Sequence, residues 1–168
     1  MVSGPADAGE FSGGRSEIRP EVRSGGQTGV DRAGLDAAMA WGLKTGGWCP
    51  RGRLAEDGVI PQRYRLRETP LSDYAQRTGW NVRDSEATLI LHRGALTGGT
   101  ELTRRLAESM GRPCRCVDLA TAPDPRESAA WIRQRAPSKL NIAGPRESQH
   151  PGIGLQARRF LELVFRSL

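Results

Sequence analysis

The segment Ser24–Ala38, SGGQTGVDRAGLDAA, sets three glycines, two hydroxyl side chains and an acid just ahead of an alanine-rich run. Glycine weakens regular structure, so a cluster here marks either a tight turn or a cradle for an anion. Downstream, Val30, Ala33, Ala37 and Trp41 recur at helical spacing and predict an amphipathic helix stopped by Gly42. Thr28 is placed to cap that helix, with Asp31 three residues on as the acid of a capping box. Upstream, IRPEVRS offers only Ile18 and Val22 as apolar anchors for the strand that should feed the turn.

Working outward, strand and helix signals alternate. LKTGGWCP reads as a short strand ending at Pro50, Arg51–Pro61 as loop, and RYRLRETPL as extended chain with a charged side. A helix is expected over 72–85, then ATLILHR (87–93) as a strand covered on both faces. The helix Glu101–Met110 follows, with Leu102, Leu106 and Met110 as its apolar stripe. CRCVDL is the next strand, Pro125–Arg135 a helix, and Leu140–Ala143 the last strand. The final helix spans Gly152–Phe165, with Ile153, Ala157, Phe160 and Val164 on one face and Pro151 at its first position. This alternation predicts an α/β fold, a mostly parallel sheet of about five or more strands between helical layers. Residues 1–20 read as a disordered extension, and 21–168 as a single domain.

Of 168 residues, 37% are apolar and 26% charged, with a formal charge of +6. Lys44 and Lys139 are the two lysines, so the surplus is almost all arginine; it suits anionic ligands, or simply a solvated surface. No apolar run reaches the roughly 20 residues of a membrane span, and no signal pattern opens the chain, so a cytoplasmic location is expected. Cys114 and Cys116 share a strand face and read, like Cys49, as buried apolar residues. Neither the cysteines nor His92 and His150 have metal-site spacing, and no structural metal is expected.

In such sheets ligands bind beyond the carboxyl ends of the strands, where three glycine-rich loops converge: Ser24–Asp31, Thr97–Glu101 and Gly144–Gly152. The first N–H groups of a helix lack internal partners and carry partial positive charge, which suits a phosphate. The expected binding residues are Ser24, Gly25, Gly26, Gln27, Thr28, Gly29 and Asp31 in the first loop; Thr97, Gly98, Gly99 and Thr100 in the second; and Gly144 with Arg146 in the third. Arg77 joins them from YAQRTGWNVRDSEATLIL, where Arg77, Thr78, Trp80, Asn81 and Asp84 form too specific a mixture for an exposed helix. Trp80 itself reads as a packing residue. Asp31, Glu101 and Glu147 are acids beside the loops, and each doubles as a helix-dipole partner; Asp31 and Glu101 are the catalytic candidates. The glycine spacing fits neither the dinucleotide fingerprint nor the Walker loop.

SGGQTGVDRAGLDAA, GGWCPRGRLAEDGVIP, YRLRETPLSDYAQRTGWNVRDSEATLIL, LTGGTELT and NIAGPRES together resemble the family named putative molybdenum carrier proteins, circularly permuted YpsA-type members of the SLOG superfamily. The resemblance runs from Ser24 to the C-terminus. It implies a Rossmann-like three-layer sandwich, a homo-oligomer (dimer or tetramer), and a pocket along the glycine loops. Thr97–Glu101 is similar to the phosphate motif of the related LOG-type phosphoribohydrolases but lacks its fuller form. The expected function is binding of a small phosphorylated ligand, either molybdenum cofactor (molybdopterin) or a nucleotide, by loop amides. Hydrolysis of a nucleotide N-glycosidic bond, using Asp31 or Glu101, is the alternative. Single-stranded nucleic acid is a weaker one, because 5% aromatic residues leaves few stacking platforms.

Overall fold

In the computed structural model, which describes residues 17–168, the apolar run ATLILH forms a strand whose first five residues are buried. The expected extension over 1–20 falls mainly on residues outside this range. In chain order the elements are β1 (Glu21–Arg23), α1 (Val30–Ala40), β2 (Thr45–Gly46), β3 (Trp48–Cys49), β4 (Leu54–Ala55), β5 (Gly58–Val59) and β6 (Arg67–Glu68). There follow α2 (Tyr74–Arg83), β7 (Ala87–His92), α3 (Gly98–Ser109), β8 (Cys114–Asp118), α4 (Pro125–Arg135), β9 (Lys139–Ala143) and α5 (Ile153–Arg166).

Five strands make one sheet in the order β2-β1-β9-β7-β8, parallel at every pairing. α1, α4 and α5 cover one face, packed on a core that includes Val22, Leu89, Leu91, Leu140 and Ile142; α2 packs against α3. This is the Rossmann-like α/β layout expected of the sequence. Among the described residues, no helix is long and apolar enough to cross a membrane. β1 is short because Val22 is its one fully buried residue. The Ser24 hydroxyl extends its attachment to β9 by donating to the Ile142 carbonyl at 2.8 Å.

The departures from the sequence reading have local causes. LKTGGWCP splits into β2 and β3 at Gly47, which sits at φ 127° with its α-carbon so close to β1 that a Cβ would lie 2.2 Å from the Ser24 carbonyl. β3 leaves the main sheet to pair with β6, and Arg51–Pro61 contains the hairpin β4–β5. Buried Arg53 holds that region together, donating to the carbonyls of Ile60, Pro61, Tyr64 and Leu66. Gly29, not Thr28, caps α1, and Trp41 is exposed at its end. Gly152 caps α5, so Pro151 lies just before the helix. On α3 the buried face is Thr100, Thr103 and Ala107; Met110 is exposed. Cys49 is buried as expected, but β8 is an edge strand, leaving Cys114 half-buried and Cys116 exposed.

Trp80 packs edge-to-face on Trp48, with centroids 4.8 Å apart, and so ties α2 to β3. Asp84 completes the joint by accepting from Trp48 Nε1 at 2.8 Å. The Arg83 guanidinium beside it, aided by that indole N–H, holds the Asp84 carboxyl at about 2. Between the ordinary value of 3.8 and about 2 the folded state therefore binds fewer protons than the unfolded chain, so this contribution is lost as pH falls through that window. Thermal melts from pH 5 to pH 2 should show a smaller acid loss in Asp84→Asn than in the parent; equal slopes would remove Asp84 from the explanation.

Candidate functional site

Chain topology opens the site. β1 and β9 run into α1 and α5 on one face, whereas β7, the other neighbour of β9, runs into α3 on the opposite face. The loops therefore part above the carboxyl ends of β9 and β7, where such folds bind ligands. A cavity of about 60 Å³, continuous with solvent, lies there. Gly25, Gln27 and Asp31 line it from the first loop and α1, Arg77, Thr78 and Asn81 from α2, and Gly99, Thr100 and Thr103 from α3. The end of β9 and the following loop supply Asn141–Gly144, Arg146 and Gln149.

All three glycine loops reach the cavity, but their glycines do different work. Arg77 lies across the first loop so closely that a Cβ on Gly25 would meet its Nη1 at 1.9 Å. Gly29, at φ 79°, backs onto the third loop, where a Cβ would lie 2.4 Å from the Pro145 carbonyl. These glycines permit close packing of protein on protein. Gly99, by contrast, faces open space, and Gly98, at φ 52°, has only Gln149 Nε2 near a Cβ position, at 3.8 Å. The N-terminus of α3 is thus the open cradle.

Asp31 and Arg77 form a buried ion pair at the cavity wall, Nη1 to Oδ2 3.0 Å, and the Gln27 backbone N–H donates to the same oxygen at 3.3 Å. Burial pushes the Asp31 carboxyl above its ordinary range against the pull of Arg77. Gln27 Oε1 accepts from the backbone N–H groups of Thr28 and Glu56, both at 3.0 Å, which fixes the orientation of its amide. Gln27 Nε2 and Arg77 Nε are left buried without a hydrogen-bond partner in residues that line the cavity. Arg146 makes no ion pair among the described residues; its guanidinium stacks on the Tyr74 ring at 5.4 Å, which also carries Arg77 at 5.3 Å. The lining of the cavity thus carries two guanidiniums, Arg77 and Arg146, and one carboxylate, Asp31.

Residues 22–165 match the family described as the circularly permutated YpsA SLOG family. The chain belongs to that family. The SLOG protein is also similar to a solved structure, the "Putative molybdenum carrier protein" of Syntrophus aciditrophicus SB. Identity is 42% over 88% of this chain and 96% of the other, with a TM-score of 0.83. No curated protein matches.

Several expected site residues take other positions in the SLOG protein. Ser24, Gly26, Thr97 and Gly98 do not line the cavity; Thr28 and Gly29 line a separate groove between α1 and α5. The Thr28 hydroxyl donates to Glu56 and accepts from the Glu147 backbone N–H at 3.2 Å. Glu56, at the turn of the β4–β5 hairpin, also accepts from the Ser148 backbone N–H and hydroxyl, so the hairpin straps the first and third loops together. Partial burial pushes the Glu56 carboxyl up, but the Ser148 and Thr28 hydrogen bonds and the charge of Arg146 hold it below its ordinary value. Glu147 does not face the cavity: its carboxylate accepts from the Gly152 and Gly154 N–H groups and fills the N-terminus of α5. Glu101 lies outside the lining too, where Arg104 and Arg105 hold its carboxyl at about 2.

Asn141 and Thr103 were not anticipated as lining residues. Asn141 left a signal: a lone amide inside the apolar strand LNIA must find partners, and its Nδ2 donates to Thr88 Oγ1 at 3.3 Å. Asn81, singled out with Arg77 and Thr78, reaches the wall while its amide pairs with both backbone groups of Trp48. Among the described residues, no group of three His, Cys, Asp or Glu side chains is placed to hold a metal ion. The donors at the cavity are guanidinium, amide and backbone N–H groups, which fit the oxygens of a phosphate or oxyanion.

Proposed function

We propose that this SLOG protein binds a small phosphorylated ligand, with molybdenum cofactor the candidate and a nucleotide its alternative. The carrying observation is a pair of buried donors without partners, Gln27 Nε2 and Arg77 Nε, in two residues that line the cavity. Leaving such groups unpaired costs about 1–3 kcal/mol each, more for a charged group, and an anion in the cavity removes that cost. Arg146 and the open N-terminus of α3 add positive potential for the same anion. The name of the Syntrophus relative, a molybdenum carrier, favours the cofactor among phosphorylated ligands. The phosphate of such a cofactor would rest on Arg77, Arg146 and the Gly99–Thr100 backbone; the cofactor itself would bring the metal chemistry.

Native mass spectrometry of the purified protein tests this reading and counts subunits in the same measurement. A retained small molecule, lost from Arg146→Ala, is expected. Bare chain that also gives no calorimetric signal with molybdopterin or nucleoside monophosphates would end the proposal.

A second reading rests on Asp31, a buried acid that lines the cavity. In an N-glycosidase it would stabilise positive charge developing on a ribose. Free base released from a nucleoside monophosphate, and abolished in Asp31→Asn, is the required result; intact nucleotide after long incubation excludes it.

A further inference from the structure

The first turn of α2 reads YAQR, which sets Tyr74 and Arg77 three residues apart and so on one helix face. The Arg77 guanidinium lies over the Tyr74 ring, 5.3 Å from its centroid. The same ring receives Arg146 from the third glycine loop, at 5.4 Å.

The two arginines are held very differently. Arg77 is fixed by the Asp31 carboxylate at 3.0 Å, by the close approach of the Gly25 backbone and by the ring. The backbone of Arg146 is fixed too, since its carbonyl accepts from the Gln149 and His150 N–H groups at 3.1 and 3.4 Å. Its side chain is not: among the described residues the guanidinium makes no ion pair, and the Tyr74 ring is what it rests on. Glu56 feels the charge of Arg146 without pairing to it, its oxygens being taken by Thr28 and Ser148. Two like charges within reach of one ring repel, and a long side chain gains entropy by leaving for water. The electron-rich face of the tyrosine opposes both tendencies.

We propose that Tyr74 is the positioning residue of the anion site: its ring holds the Arg146 guanidinium at the cavity beside Arg77, in place before the anion arrives. This role rests on the phosphate reading of the cavity; Tyr74 itself is not among the lining residues. A side chain ordered in advance loses less entropy on binding, which raises affinity. Arginine suits the arrangement because its plane stacks on a ring while its edge keeps N–H groups for a phosphate. The start of α2 does not depend on that ring, being capped by Asp73 and braced by the Thr78 hydroxyl, which donates to the Tyr74 carbonyl at 2.9 Å.

Calorimetric titration with inorganic phosphate and with adenosine monophosphate, at low salt, compares the parent with Tyr74→Phe, Tyr74→Leu, Arg146→Ala and Tyr74→Leu/Arg146→Ala. Tyr74→Phe keeps the ring face and should bind within about twofold of the parent. Tyr74→Leu should raise Kd roughly 3- to 30-fold, the span of a cation–π contact from exposed to desolvated. In the Arg146→Ala background the same change should raise Kd by less than about twofold, because Arg77 still has Asp31. A merely structural role would cost the same in both backgrounds. Urea denaturation checks that each variant is folded under the titration conditions, and Tyr74→Met replaces Tyr74→Leu if the latter is not. Parent-like affinity in the folded non-aromatic variant, or an equal loss in both backgrounds, would overturn the role of Tyr74 and leave the phosphate reading standing. A parent that binds neither probe would remove both.

Discussion

Replacing Asp31 with alanine lowers stability by about 3–5 kcal/mol, the cost of leaving one partner of a buried ion pair uncompensated. Both side chains are only 9% exposed, and the pair closes at 3.0 Å. Arg77 has nowhere else to put its charge. Its guanidinium lies against the Gly25 backbone and the Tyr74 ring, and its Nε already lacks a partner. For a chain of this size the loss corresponds to a fall in melting temperature of roughly 6–20 °C. Asp31→Asn should cost less than Asp31→Ala, because an amide oxygen can still accept from the Gln27 N–H and from Arg77. The double variant Asp31→Ala/Arg77→Met should be more stable than Asp31→Ala alone, since no bare charge remains. Urea denaturation of the four proteins at neutral pH measures all these terms. A cost below about 1 kcal/mol for Asp31→Ala would show the pair to be hydrated rather than buried.

That ion pair also shows where the sequence could be read and where it could not. α1, β7 and α5 are legible because their apolar spacing matches one period over many residues, and packing on the sheet needs nothing more. β2, β3, β4, β5 and β6 have two residues each, too short for any period; their positions depend on long-range contacts such as Gly47 against Ser24 and Arg53 against four carbonyls. Arg77 could be singled out by composition, but its partner, 46 residues earlier, could not. Local spacing offers Asp31 equally as a capping-box acid, a ligand contact or a catalytic acid, and carries no trace of the ion pair. The glycines of SGGQTGVDRAGLDAA posed a choice between turn and cradle that spacing cannot settle. Gly25 and Gly29 are spent on protein packing, while Gly98–Gly99 keep open space. Cys116 was misjudged because strand order, not strand sequence, decides which strand is the edge.

The largest effect on binding should come from Gln27→Glu, a change of one atom type. Gln27 Oε1 accepts the Thr28 and Glu56 N–H groups, a role a carboxylate oxygen can keep, but the second oxygen adds a buried charge next to Asp31, so urea denaturation of Gln27→Glu accompanies the titration to separate lost binding from lost stability. The lost atom is Nε2, the buried donor without a partner, and a charged oxygen takes its place. An anion that gained a hydrogen bond there now meets a repulsive acceptor. Arg146→Ala is the milder companion. It removes a charged donor worth about 1.5–3 kcal/mol, a roughly 10- to 150-fold rise in Kd, without touching the Gln27 hydrogen bonds. Calorimetry with adenosine monophosphate and with inorganic phosphate as probes should rank parent above Arg146→Ala above Gln27→Glu, with affinity falling as salt rises. Equal affinity across the three would place the anion elsewhere. Binding that weakens only in Arg146→Ala would confine it to the outer guanidinium and leave Gln27 Nε2 buried without a partner.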